Sequence, residues 1–568
     1  MKTGHSAKLL AVMIASALAA GCGSDDNNND APTTPENNAP VAGEVAVSTQ
    51  ANNVVLLDVL AAASDADGDD ITLVADSISA SSGQAVIFGD KISYYPSLSE
   101  SGEISVSYAL SDGMDQTQAT ATVTVDAVSM DVAYMGTQTC LGCHAGHDSF
   151  LNHGHNFKIN EITNGELPDY PFSKDEMDGR LAQLLERHQN GESRIENADI
   201  PASYADVPYL IGGYHWKARW SDENGYVVAG TGVQFNNQAE EGAANQWGNY
   251  KAGEVQDADG NQLKPGHTYG CGNCHNTGYK RYDADLNPNR QWGLDGVGGT
   301  WELSGVQCEA CHGAGHEHVA TMTAIANTPH HLPKGELNIT LRAQPRTLEQ
   351  LSADDMGFGL PVHCGECHTR DGERKFDSAS GTYLSPFNKA FPDNPVTHAG
   401  RIVADKYGLG KHHQTVDELF GPHPETGEGM GKHFAAGVDC ADCHNPHKTV
   451  VNRDAEGQDS NPFNVTCTNC HTEQAPKSPS HANVACTTCH MPDTAKSAIY
   501  NDVSPALGGD DTVRLGDVKG HIFKIDLSKN NDDLMMNGFV YPALSRDQAC
   551  GSCHRESFRE VVKGVTIH

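Results

Sequence analysis

Cys308-Glu309-Ala310-Cys311-His312 carries a pattern that recurs along the whole chain. Two cysteines three apart are followed at once by histidine. In chain order the eight motifs are Cys140/Cys143/His144, Cys271/Cys274/His275, Cys308/Cys311/His312, Cys364/Cys367/His368, Cys440/Cys443/His444, Cys467/Cys470/His471, Cys486/Cys489/His490 and Cys550/Cys553/His554. Sixteen of the seventeen cysteines are consumed in this way, and the seventeenth is Cys22. Residues three and four apart share one face of a helical turn, so two thiols can meet the two vinyl groups on one porphyrin edge while the next histidine turns under the iron. This is the attachment signature of c-type haem. Zinc sites and disulfides also use cysteine, but neither requires histidine after every second one. The pattern predicts eight covalent haems, each with its proximal ligand named.

Eight irons need eight distal ligands, and outside the motifs and His5 the chain has twenty histidines. That excess predicts bis-histidine irons, which are saturated, low-spin and suited to passing electrons rather than binding substrate. The distal candidates are His155, His318, His433, His447, His481 and His521, with His398 and His413 next. For each, the alternative is a histidine that hydrogen-bonds a ligand from behind or lies at the surface. His412 and His413 would point about 100 degrees apart on a helix, so they cannot both serve one iron. His363, directly before Cys364, fits either a ligand or a spacer. His5 and His188 are set aside.

At 568 residues the chain is too long for one compact domain. Only 38% of it is hydrophobic and 7% aromatic, little for a core built from side chains alone, which suggests that something else fills it. Its 74 acidic and 38 basic residues leave a net charge of -36, which argues against nucleic acid and for cationic, metallic or protein partners. Lys2 and Lys8 precede an apolar run, Leu9 to Ala20, too short to span a bilayer and read as a signal-peptide core. Residues 1–21 are then the leader and 22–40 a polar tether.

From 41 to 128 there is no cysteine, and short alternating runs recur at Asn53–Val59, Ile71–Ser77, Ala85–Phe88, Ile92–Tyr95, Ile104–Leu110 and Ala119–Val125. These predict an all-β sandwich. The remainder is expected to be a loop-rich, mainly α multihaem cytochrome c fold with short hairpins, in two tetrahaem domains at 135–395 and 396–568. Within the first, Tyr214 to Trp220 alternates aromatic and basic residues, turns at Asp222-Glu223-Asn224-Gly225 and returns over Tyr226–Ala229. This predicts a hairpin with Tyr214, Trp216 and Trp220 packed on haem or core. Lys158 and Lys217, by contrast, are expected to be solvated. Only fifteen residues separate Cys470 from Cys486, which forces the sixth and seventh motifs to be neighbours.

Several stretches resemble known families. Leu18-Ala19-Ala20-Gly21-Cys22 is similar to the bacterial lipoprotein box, implying lipidation of Cys22 and, with Gly23 next, an outer-membrane lipoprotein, at the cell surface or facing the periplasm. Ala19 stands where that box usually has leucine. Asp65-Ala66-Asp67-Gly68-Asp69-Asp70, with Ser111-Asp112-Gly113, resembles the cadherin-like and immunoglobulin-like repeats of bacterial surface proteins, in which such a loop can bind calcium through Asp65, Asp67 and Asp69. The alternative is a solvated acidic turn. Residues 135 to 370, with His153-Gly154-His155-Asn156-Phe157-Lys158, Ile211-Gly212-Gly213-Tyr214 and His318, resemble the tetrahaem extracellular cytochromes of metal-reducing bacteria, some of which polymerise into nanowires. The second half, with Asp442-Cys443-His444-Asn445-Pro446-His447 and Cys489-His490-Met491-Pro492, is similar to wider multihaem cytochromes, octahaem reductases among them. Fusion to a lipidated sandwich departs from the filament-forming pattern.

These resemblances imply an electron carrier anchored to the membrane by lipid. It would take electrons from other cytochromes and deliver them to an extracellular metal, a flavin or a further cytochrome. The competing expectation is an octahaem reductase of a nitrogen or sulfur oxyanion, with Lys158 or Lys217 as a distal ligand. Against its nitrite-reducing branch, no Cys-x-x-Cys-Lys motif occurs.

Overall fold

A computed structural model describes residues 37–51, 54–96, 100–127, 134–171, 175–285, 287–327, 364–368, 375–377, 382–384, 402–403, 405, 407–411, 414–420, 431–452, 461–473, 479–536, 539–540 and 543–562. The chain forms two compact units, 1–127 and 128–568. The leader, Cys22 and the expected boundary at 395–396 lie outside the described residues. Among the described residues, no helix is long and apolar enough to cross a membrane.

Among the described residues the first unit has eight strands: β1 Ala46–Gln50, β2 Val55–Leu57, β3 Thr72–Leu73, β4 Ser79–Ala80, β5 Gln84–Phe88, β6 Lys91–Tyr95, β7 Gly102–Ser111 and β8 Gln116–Asp126. One sheet runs β1-β8-β7-β3, with β4 also on β7; the other is β2-β6-β5. Period-two alternation sends Val106, Tyr108 and Leu110 of β7 and Ala121 and Val123 of β8 into the interior, where Leu57, Ile92 and Tyr94 of the second sheet are also fully buried. The longest ladder is β7 on β8, from Gly102↔Val125 to Ser111↔Gln116. β1 lies parallel to β8, starting at Ala46↔Thr122. Asn37 donates to Asp112 and Asp115 at 2.9 and 2.8 Å, and the Asn38 amide donates to Asp67 at 2.7 Å. The last residues of the expected tether are therefore pinned to the sandwich.

In the second unit the expectation of a mainly α fold needs correction. Among the described residues its helices are short, the longest being Arg180–Gln189 and His316–Asn327, and it contains a six-stranded sheet. That sheet is built from β9 Ile159–Glu161, β10 Arg194–Ile195, β11 Tyr209–Gly212, β12 Lys217–Trp220, β13 Gly230–Asn236 and β14 Trp247–Tyr250. Its order is β10-β13-β12-β11-β9, with β14 beside β13. The physical reason is economy: an attachment motif needs one helical turn, and the cysteine-free insert between the first two motifs is rich in aromatic and β-branched residues that suit a sheet. Trp220, Leu210, Ala218, Met177 and Leu184 have no exposed surface and centre its core.

The expected hairpin is present as a tight connection. The Asp222 amide donates to the Tyr226 carbonyl at 2.8 Å, and Ser221 bridges Val227. Its leading strand pairs with β11 on one side and β13 on the other, so it is central to a larger sheet. Gly212 and Gly213 precede it at φ 76 and 87, a left-handed pair that frees the Gly212 carbonyl to accept from Asn160 and from the Tyr170 hydroxyl at 2.8 and 2.9 Å.

Candidate functional site

Each attachment motif is one tight turn. The histidine amide donates to the carbonyl of its first cysteine in motifs one, two, four, five, six and eight, at 2.9, 3.2, 2.9, 2.8, 2.9 and 2.8 Å respectively. Motifs three and seven lie inside helices Cys308–His312 and Cys486–His490. Asp439, Thr466 and Ser545 form capping boxes that start the turns of motifs five, six and eight.

Within the turn, the second cysteine of a motif also bonds back to the first. The Cys143 amide donates to the Cys140 carbonyl at 3.2 Å, Cys274 to Cys271 at 3.3 Å, Cys367 to Cys364 at 3.2 Å and Cys553 to Cys550 at 3.1 Å. Cys143 is exposed, while Cys274 and Cys553 are half-buried, and the Cys553 thiol lies 3.8 Å from the Ser552 hydroxyl. The sequence predicts thioethers at Cys143, Cys274 and Cys553, as at the other thirteen motif cysteines. No disulfide links any two of these sixteen cysteines.

The distal candidates come to face the proximal histidines. Two imidazoles on opposite faces of one iron, with nitrogens about 2 Å from the metal, place their ring centroids roughly 6 Å apart. His144 and His318 stand at 6.2 Å, His368 and His155 at 6.3 Å, and His312 and His447 at 6.1 Å. His444 and His521 stand at 6.0 Å, His471 and His433 at 5.8 Å, and His554 and His481 at 5.9 Å. Six different proximal histidines thus meet six different distal candidates. His398 and His413, the candidates left for His275 and His490, lie outside the described residues, as does His363. His490 Nδ1 meets the Phe523 carbonyl at 2.7 Å, the orienting bond that a ligating imidazole makes through its far nitrogen.

The buried rings are held neutral, as metal ligation requires. Burial lowers His155 well below the ordinary imidazole range, with His153 and Lys158 adding repulsion. It brings His447 and His521 down to about 4, helped by His147 and His312 in the first case and by His444 in the second. The Nδ1 atom of His318 is buried without a hydrogen-bond partner. A pair of neutral rings at this spacing, beside two thiols on one turn, fits a c-type haem.

Several residues around the motifs carry no sequence signal. Glu309, inside motif three and buried, accepts from the Met135 and Gly136 amides at 2.8 Å each and from Gly315 at 2.6 Å, tying the entrance of motif one to motif three. Arg559, also buried, donates to the His554 carbonyl at 2.5 Å and to Asp511 at 2.6 Å, clamping motif eight. Glu418 accepts from the His521 amide at 2.6 Å.

Lys217 and Lys158 are half-buried, contrary to the solvated placement expected of them. Lys217 donates to the Ser497 carbonyl at 2.7 Å, and burial brings its ammonium down to about 7. Lys158 sits over the Trp216 ring at 5.8 Å. Trp216 donates to the Asp517 carbonyl at 3.0 Å, and Asn452 donates to the Tyr214 carbonyl at 2.6 Å. The hairpin of the first expected half is thereby stitched to the second, and Trp216 packs on protein backbone.

In the first unit, carboxylate oxygens of Asp65, Asp67 and Asp69 lie within 4.8 Å of one another. Asp65 accepts from the Asp67 and Gly68 amides at 2.8 and 3.1 Å, which turns the loop so that all three acids converge. It is the one such acidic or mixed group among the described residues.

Comparison with known proteins identifies the first unit. Residues 37–126 match the bacterial Ig domain family, as the two sheets lead one to expect. No curated protein matches the chain. Among solved structures, the endo-fucoidan hydrolase MfFcnA4 from glycoside hydrolase family 107 is similar at 25% identity over 17% of this chain and 15% of that one, with a TM-score of 0.14. The endo-fucoidan hydrolase MfFcnA9 of the same family is similar at 22% identity over 16% of this chain and 17% of that one, with a TM-score of 0.13. The chain thus spans less than a fifth of their length.

Proposed function

We propose that the second unit is an octahaem c-type cytochrome and that the chain is an electron carrier. The observation that carries this reading is the set of six proximal and distal histidine pairs with ring centroids 5.8 to 6.3 Å apart, each beside a Cys-x-x-Cys turn. Haem c, when bound, supplies an iron that cycles between ferric and ferrous states, gaining and losing one electron with no atom transferred. The cysteines would hold the ring, the next histidine one face and the distal histidine the other. The partners follow from the net charge of -36: cytochromes with basic docking faces, and an extracellular metal or flavin acceptor. Lipidation at Cys22 would tether the carrier at the outer membrane, with the Ig domain as spacer. Calcium at Asp65, Asp67 and Asp69 belongs to the same proposal.

The reductase reading needs an open or lysine-ligated iron. Lys217 commits its ammonium to the Ser497 carbonyl, which weighs against it as a ligand. EPR and magnetic circular dichroism of the oxidised protein, with and without cyanide, decide between the two. Low-spin bis-histidine signals indifferent to cyanide are expected for a carrier; a cyanide-sensitive or lysine-ligated haem would make the reductase the better account.

A further inference from the structure

Between motifs seven and eight the chain makes a turn of the rare hand. The Lys524 amide donates to the Ile522 carbonyl at 2.7 Å, closing a three-residue turn about Phe523, and Phe523 holds φ 59. A hydrogen bond of this span with positive φ at the centre is the strained form of the γ-turn, and a bulky aromatic residue is poorly suited to it. Such a conformation lasts where its surroundings fix it from both sides. On the near side the Gly520 amide donates to the Pro492 carbonyl at 3.0 Å and the His521 amide to Glu418 at 2.6 Å. On the far side the Leu544 amide donates to the Lys524 carbonyl at 2.7 Å, and Ile525–Asp526 runs parallel to Leu544–Ser545, where Ser545 caps the helix of motif eight.

The turn brings one residue against histidines of three motifs. The Phe523 ring meets His433 edge-on at 4.7 Å and 65°, and His521 at 5.9 Å and 86°. These are the distal candidates that face His471 of motif six and His444 of motif five. The Phe523 carbonyl accepts from Nδ1 of His490, the proximal histidine of motif seven, at 2.7 Å. Rotation about the N–Cα bond of Phe523 would carry its ring and carbonyl together relative to His521, so the left-handed value is what lets one residue reach all three. An edge-on ring restrains the rotation of an imidazole. A hydrogen bond at the nitrogen away from the metal fixes the ring and its tautomer and raises its basicity as a ligand. We propose that Phe523 is a positioning residue for electron transfer: it sets the ring planes of the distal ligands at motifs five and six and the donor strength of the proximal ligand at motif seven. The inference rests on the haem reading above.

The test is EPR of the full-length oxidised holoprotein, because the g values of a low-spin ferric iron report the angle between its two imidazole planes. Phe523→Gly removes the ring and is at ease with positive φ, so it keeps the turn. The signals lost in His521→Met and in His433→Met belong to motifs five and six. Those two should shift in Phe523→Gly while the others hold, and Phe523→Tyr, which keeps the ring, should leave all of them in place. Signals unmoved in Phe523→Gly would overturn the role of the ring. Phe523→Val resists positive φ and should release His490, raising the reduction potential of one further iron in an EPR-monitored titration, a rise that Phe523→Gly should not show. An unchanged set of potentials in Phe523→Val would overturn the role of the carbonyl. A chain that carries eight haems with every signal and potential unmoved defeats this inference alone, whereas a mature chain without haem defeats it together with the haem reading.

Discussion

The two units of this chain solve the problem of a core in different ways. In the Ig domain, Leu57, Ile92, Tyr94, Val106, Tyr108, Leu110 and Val123 are all fully buried, and the sheets close on their own side chains. In the second unit that density gathers in two clusters, one around Trp220 and one around Tyr209, Tyr269 and Trp301. From Cys364 onward the described residues include twelve buried apolar side chains, none of them aromatic. The ring centroids of facing histidines there lie about 6 Å apart, the separation that one iron between two imidazoles would set. One unit closes on its own side chains; under the reading proposed above, the other is shaped around groups it acquires.

That contrast is most exposed to failure when haem attachment is blocked. The apoprotein should keep a protease-resistant fragment covering 37–126 and lose the C-terminal two thirds to digestion; a compact, resistant second unit without haem would contradict the contrast outright. The next largest effect belongs to Trp220→Ala. Removing the largest fully buried side chain of the sheet should cost about 3–5 kcal/mol in the second unit and leave the melting of the Ig domain unchanged, as calorimetry of the holoprotein would show. His447→Ala should leave one iron without its distal ring, adding one high-spin EPR signal while eight haems stay attached.

A smaller effect comes from Lys217. Its ammonium is held near 7 in the folded state against an ordinary 10.5, so between those values the unfolded chain binds the extra proton and stability rises with pH. Lys217→Met should flatten that rise over about pH 7 to 10 in denaturant titrations; an unaltered slope would assign it elsewhere. Calcium should have the least effect, raising the melting temperature of the isolated 37–126 domain by a few degrees, with the gain lost in Asp67→Asn.

The local turns of the motifs are more legible in the sequence than the architecture around them. Cys-x-x-Cys-His is local, so motif and proximal ligand can be read together, and His318 and His447 stand close enough to motifs three and five to be suspected. β9 was not legible, because its pairing Leu210↔Asn160 joins residues fifty positions apart. β1 was missed since Ala-Val-Ser-Thr-Gln has one strongly apolar residue and pairs at an edge. Lys217 read as solvated because nothing in its neighbourhood announces that Ser497 and Asp517 cover the hairpin. Glu309 reads as a spacer between two cysteines, yet it fastens motif one.

The most direct test of the central claim is to export the full chain from a host that attaches c-type haem, denature it, and measure iron and haem that remain with the polypeptide. The account predicts eight of each per chain. Haem that separates on denaturation, or zinc in place of iron, would contradict it.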